Sequence, residues 1–273
     1  MMTSVMASKS RGAWGILFLS SQSVRNYVVA ILIAAIIILL LTFILPKDSI
    51  PALFLLDHSD HSLFTPIYPI TIQNFMHVML AIGFAEVWTR WQETRREEFF
   101  LGMHLLPEDE ATVLEVDELG KIRRTVAALA HRQDSALPRL LDVCLLQLIT
   151  NKSVEQAVSI FTSTLELISH RLDLAYQTMR YLVWLIPTVG FIGTVVGIAI
   201  SLEGMQDPKN INFGQVTSGL SVAFYTTILA LIESAILVFV QNIVQRRQET
   251  LLNAAADYCL RNLINRTYIP KGE

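Results

Sequence analysis

Residues 181–202 read YLVWLIPTVGFIGTVVGIAISL, and residues 216–240 read VTSGLSVAFYTTILALIESAILVFV. The first run carries no charge, and the second carries only Glu233. A hydrocarbon layer of ~30 Å takes ~20 helical residues to cross, so both runs are long enough. In lipid each backbone group must find its partner within its own segment, which makes these runs helices. Working outward, Asn26 to Leu45 is a third uncharged run. A fourth lies between Asp60 and Glu86, with its apolar heart over residues 67–85. The expectation is an all-α polytopic membrane protein with four transmembrane helices and a cytoplasmic helical bundle.

Composition agrees. Of 273 residues, 52% are hydrophobic and 16% charged, against ~25% charged in an ordinary soluble domain. These values exclude a disordered chain, a collagen-like chain and a disulfide scaffold. A net charge of −3 gives no basic surplus for nucleic acid, so no such partner is expected. The run Asn26 to Leu45 has a longer apolar core than a signal peptide's, and no small-residue cleavage site follows it, so it reads as a retained anchor. Of the 21 Lys and Arg, nineteen lie on one side of the four-span plan. The positive-inside rule then puts both termini and the long middle region in the cytoplasm. Loops 46–66 and 205–215 face outward. Cys144 and Cys259 fall on the reducing side, outside any metal-ligand spacing.

The region between the two pairs of spans reads as helical. Pro107 followed by Glu108, Asp109 and Glu110 has the composition of a helix start. Pro138 opens another helix, and Asn151-Lys152 makes a turn. Ser153 and Gln156 have capping-box spacing. From Val154 the apolar residues recur in steps of three and four to Leu182. That stripe predicts one helix running without a break into the third span. Residues 241–265 continue the fourth span as a more polar helix. The domains expected are a cytoplasmic segment 1–25, a first transmembrane pair 26–91, a cytoplasmic helical domain 92–180, a channel-forming pair 181–240 and a C-terminal helix 241–273.

The last two spans carry the chemistry. Gly193 and Gly197 form a small-xxx-small pair, and Gly190 adds a third small position. Pro187 lacks an N–H and should kink the third span. In the fourth span Gly219, Ala223, Thr226, Thr227, Ala230, Glu233 and Ser234 fall within a sector of about 120°. A small, hydroxyl-bearing face either packs on another helix or lines a wet path.

The run Ile186–Leu202 resembles the third-span signature of the MotA/TolQ/ExbB proton-channel family: a proline, a glycine, a Gly-Thr-Val step and a further glycine. Leu220–Ala235, LSVAFYTTILALIESA, is similar to the same family's last span. The four-span plan looks like MotA, whereas the local words look like TolQ and ExbB. The resemblance implies a ring, a pentamer, whose third and fourth spans surround a dimer of a single-span partner of MotB, TolR or ExbD type. That partner carries an intramembrane aspartate, and ion flow, H+ or else Na+, drives rotation. Thr194 and Thr227 match the family's pore threonines by position, with Thr226 beside them, and Pro187 matches its proline. Some members carry an acid near the outer end of the last span, where this chain has Val222.

Glu233 lies eleven residues beyond Val222 on nearly the same face. A carboxylate at mid-bilayer costs roughly 2.5–3.5 kcal/mol, so it should avoid lipid. Three readings stay open: a proton way-station, a pair with a group of a neighbouring subunit, or a side chain reaching the inner interface. His77, lone in the apolar heart of the run between Asp60 and Glu86, reads as a hydrogen-bonding structural group, with a proton role as its alternative. Glu86 and Arg90 have the spacing of an i,i+4 pair, and Arg95-Arg96-Glu97-Glu98 reads as a solvated face. No nucleophile–base pair, phosphate loop or metal spacing appears, so neither an enzyme nor a cofactor is expected. The functional expectation is the ring-forming subunit of an inner-membrane, proton-driven motor. Its rivals are a non-conducting membrane scaffold and a secondary transporter.

Overall fold

A computed structural model describes residues 21–46, 49–57, 70–109, 114–132 and 135–268. In chain order its elements are α1 (Ser21–Ile44), α2 (Ile50–Leu55), α3 (Ile72–Leu101), β1 (Leu114–Glu115), α4 (Val116–Arg132), α5 (Ala136–Asn151), α6 (Val154–Ala175), α7 (Gln177–Glu203), α8 (Phe213–Asn262), a 3-10 turn (Ile264–Arg266) and β2 (Thr267–Tyr268). The all-α expectation holds, with one two-residue ladder beside the helices. β1 and β2 pair in parallel, Leu114 opposite Thr267 and Glu115 opposite Tyr268. Partners so far apart in sequence leave no local periodicity to read.

The chain divides into two compact units, Met1–Thr89 with Thr178–Gln241, and Arg90–Gln177 with Asn242–Glu273. In the first, three helical stretches lie in segments long and apolar enough to cross a membrane: Val24–Ile44, and stretches within Val154–Glu203 and Phe213–Arg266. The second expected span is a helix too, from Ile72; residues 58–69 lie outside the described residues. It is missing from those three because Gln73, Asn74, His77 and Glu86 interrupt its apolar run. Gln73, Asn74 and Glu86 are buried, so α3 turns polar groups into the unit. Asn26 of α1 donates to Thr89 at 3.0 Å, and the Tyr27 hydroxyl donates to Glu86.

Two helix boundaries differ from the expectation. The stripe from Val154 is interrupted at Tyr176, between α6 and α7. There the Tyr176 N–H reaches back only three residues, to Asp173 O at 3.2 Å. Its ring is fully buried, and its hydroxyl donates to Gln248 Oε1 at 2.7 Å. The interruption is this one residue, and Val154–Glu203 otherwise forms a continuous helical stretch of 50 residues. At the other boundary no helix covers Pro107 to Asp109, and α4 starts at Val116. Residues 110–113 lie outside the described residues. The Arg266 guanidinium donates to the carbonyls of Pro107 (3.2 Å), Glu108 (3.3 Å) and Asp109 (2.6 Å). Carbonyls satisfied that way need no helix.

The second unit has a conventional core. Leu119 and Val126 of α4, Leu140, Leu141, Leu145 and Leu148 of α5, Phe161 of α6 and Ala255 of α8 are buried together. Pro138 sits in the first turn of α5, where its missing N–H costs nothing. Lys152 takes the left-handed conformation, φ 47°, that ends α5. Ser153 then caps α6 by accepting from Gln156 N at 3.3 Å. The Gln156 side chain does not close the box; it accepts from Asn151 at 2.6 Å.

Candidate functional site

Helices α7 and α8 pack along their small faces, and the fit leaves no room for a side chain. A Cβ on Gly197 would sit 2.5 Å from Ala223 N and from Gly219 O, both backbone atoms. One on Gly193 would meet Thr226 Oγ1 at 2.6 Å, and one on Gly190 would collide with the Ala230 methyl. One on Gly219 would meet Ser201 Oγ at 2.5 Å. Thus Gly190, Gly193, Gly197, Gly219, Ala223 and Ala230 form the seam between the two helices. Ser201 crosses it, donating to Val216 O at 2.9 Å or Gly197 O at 3.1 Å.

Within that seam Thr194 and Thr227 meet hydroxyl to hydroxyl. Thr194 Oγ1 also lies 3.2 Å from Ala223 O on the other helix, and Thr227 Oγ1 lies 3.4 Å from Gly190 O. Each hydroxyl has one hydrogen, so one threonine donates to the other, which donates to a carbonyl. Either order satisfies the same heavy atoms. Both residues keep partial exposure. Thr226 does not: it is fully buried against Gly193 and bonds the Val222 carbonyl of its own helix at 2.9 Å.

Pro187 lies inside α7, which continues through it. Its missing N–H removes the ordinary donor to Val183 O, four residues back. Ser234 of α8 supplies the replacement, its hydroxyl donating to Val183 O at 2.9 Å. The serine was visible as part of the small face. Its task follows only from asking which carbonyl the proline orphans.

Glu233 turns away from the threonines. It is 3% exposed and pairs with His77 of α3, Oε1 to Nδ1, at 2.5 Å. The other ring nitrogen of His77 lies 2.9 Å from the Leu55 carbonyl of α2. A carbonyl only accepts, so Nε2 carries a hydrogen. Nδ1 and the carboxyl oxygen are hydrogen-bond partners, with the donor set by the tautomer and protonation of the pair. Glu233 Oε2 is buried and has no hydrogen-bond partner among the described residues.

Other expected candidates have partners of their own. Arg90 pairs with Glu93 at 2.9 Å. The run at 95–98 is more than a solvated face. Arg95 lies over the Trp91 ring, Glu97 accepts from Ser135 Oγ and Ala136 N at 2.8 Å each, and Glu98 binds Arg247 at 2.5 Å. Cys144 and Cys259 are free thiols inside the second unit's core. Burial pushes the Cys144 thiol up to about 12; Cys259 is also raised, by burial and then by Cys144. Among the described residues no group of three or more His, Cys, Asp and Glu gathers to hold a metal.

The class is thus an all-helical membrane protein whose last two apolar helices are joined by a glycine seam carrying a hydroxyl pair. Residues 132–256 match the model of the MotA/TolQ/ExbB proton channel family. The matched stretch runs from the last residue of α4 through α5, α6 and α7 to residue 256 of α8, and over this part the chain is similar to that family. No curated protein and no solved structure matches the chain.

Proposed function

We propose that this chain is the ring-forming subunit of a proton-driven motor in a bacterial inner membrane. The observation that carries the reading is the overlap of the family match with the seam that sets Thr194 against Thr227. In this reading five copies surround a dimer of a single-span partner with an intramembrane aspartate. In the same reading α3 supplies a fourth span, both termini are cytoplasmic and α7–α8 line the path. The two hydroxyls steer an H+, with Na+ as the alternative ion. They titrate far from neutrality, so they pass and orient the proton on the partner's carboxyl rather than store it. The His77–Glu233 dyad lies beside the path. One charge falling through 100 mV releases ~2.3 kcal/mol, which drives the rotation.

The test is the native mass of the assembly extracted from its own membrane, followed by activity of Thr227→Val. The expected result is five copies with two copies of a small single-span chain. Thr227→Val should assemble normally and lose most ion-driven work, because the valine keeps the shape and removes the hydroxyl. A complex without a small partner, or a Thr227→Val complex with full activity, would leave the scaffold reading. That rival draws on the close fit of the seam, which packs the helices with or without conduction.

A further inference from the structure

The second unit contains a cavity of about 270 Å³ into which three helices bring arginines: Arg90 and Arg96 from α3, Arg139 from α5 and Arg171 from α6. Two carboxylates, Glu93 and Glu97, share the lining, so the fixed charge of the walls is positive. Both acids are already committed. Glu93 binds Arg90 at 2.9 Å and accepts from Gln248 at 3.4 Å. Glu97 gives its two oxygens to the Ser135 hydroxyl and the Ala136 N–H at 2.8 Å each, fixing the start of α5. Arg96 and Arg171 form no ion pair among the described residues, and both are exposed enough to reach a ligand. Elsewhere in this unit Arg123, Arg247 and Arg261 each have an acid of their own.

We propose that this cavity binds a phosphate ester. Guanidinium groups converging from separate helices match the several acceptor oxygens of a phosphate, and their planar forks bind it in paired hydrogen bonds. The lining also includes the aliphatic side chains of Ile168, Leu172 and Leu252. They suit a carbon skeleton attached to the phosphate better than a bare inorganic ion. Two sources share this chemistry: the headgroup of an anionic phospholipid and a soluble phosphorylated metabolite.

The experiment uses the full chain with its co-purifying partners and two probes. Glycerol 3-phosphate is titrated into the detergent-solubilised protein and followed by broadening of its phosphorus resonance. In parallel, lipid retained after extraction from mixed phosphatidylglycerol and phosphatidylcholine vesicles is counted by native mass spectrometry. Each is repeated with the Arg96→Gln, Arg171→Gln double variant and with a control of equal charge loss, Arg124→Gln with Arg246→Gln. All four positions are surface-exposed, so unfolding curves without probe should coincide. The pocket variant is expected to lose about tenfold or more in binding, and the control to keep it. Loss confined to the soluble probe identifies a metabolite, and loss confined to phosphatidylglycerol identifies a lipid headgroup. No binding of either probe to the native protein, equal losses in the two variants, or full binding by the pocket variant each overturns the proposal.

Discussion

The two units are built for opposite solvents. In the first, Val28, Leu32, Ile36, Leu40, Phe191, Val195, Phe224 and Phe239 point outward, while Gln73, Glu86, Thr226 and Glu233 are buried. In the second, leucines fill the centre and ion pairs such as Arg123–Asp142 and Arg247–Glu98 lie at the surface. Where lipid is the surroundings, apolar burial supplies no drive between helices, so close backbone approach and hydrogen bonds must hold them. Where water is the surroundings, leucine suffices. The difference teaches where a substitution will hurt: small additions and lost polar partners in the first unit, lost apolar volume in the second.

The most damaging test of that contrast is Gly197→Ala. The added methyl falls 2.5 Å from two backbone atoms of α8, and backbone cannot rotate aside. The seam must open, so well-folded protein should be largely lost, read as the monodisperse fraction after extraction. Gly120→Ala in the second unit, where nothing lies within 4 Å of the new methyl, should leave yield unchanged. Equal yields for the two variants would break the comparison.

Next in size is His77→Leu, which leaves the buried Glu233 carboxyl without its partner. A loss of about 3–5 kcal/mol is expected in denaturant unfolding, as for other broken buried pairs. Adding Glu233→Leu should recover most of it. Additive losses would show that the two side chains are not coupled.

Ser234→Ala is expected to cost about 1–3 kcal/mol, because the Val183 carbonyl loses its donor. Pro187→Ala in the same chain should restore much of that, since alanine returns the N–H four residues on. Failure of this rescue would remove the serine's assigned task.

The smallest effect belongs to the leucine core and sharpens the contrast by pH. The Cys144 thiol rises from 9.0 unfolded to about 12 folded, because burial disfavours the thiolate. Below pH 9 both states keep the proton and stability is unaffected. Between pH 9 and about 12 the unfolded chain releases its proton and the folded one does not, so stability falls as pH rises, at most about 1.4 kcal/mol per pH unit for each thiol. Denaturation midpoints at pH 8 and pH 10 check this. Below pH 9 a thiol reagent should label Cys144 and Cys259 only after unfolding.

Much of the first unit was legible residue by residue. The small faces of α7 and α8 stand out because Gly, Ala, Ser and Thr recur at helical spacing, and the helices meet on those residues. The partner of Glu233 was hidden. At 100° per residue Thr227 and Glu233 lie at opposite edges of the same small sector, about 120° apart. A list of face residues groups them; a packed helix sends one toward α7 and the other toward α3. His77 stands 156 residues away in sequence, beyond any local pattern. The second expected span was legible as a helix. Its polar residues, which weaken its hydrophobic signal, are the ones the fold buries.

The chain alone determined most of its helices, its apolar segments and the glycine spacing of the last two of them, because those follow from spacing and transfer energies within one segment. Tertiary structure decided the rest: the turn at Tyr176, the serine that serves the proline's orphaned carbonyl, the dyad of His77 with Glu233, and the gathering of arginines from three helices. Each depends on which remote group meets a buried polar atom, and hydrogen-bond satisfaction inside a low-dielectric interior is settled only once the helices have packed.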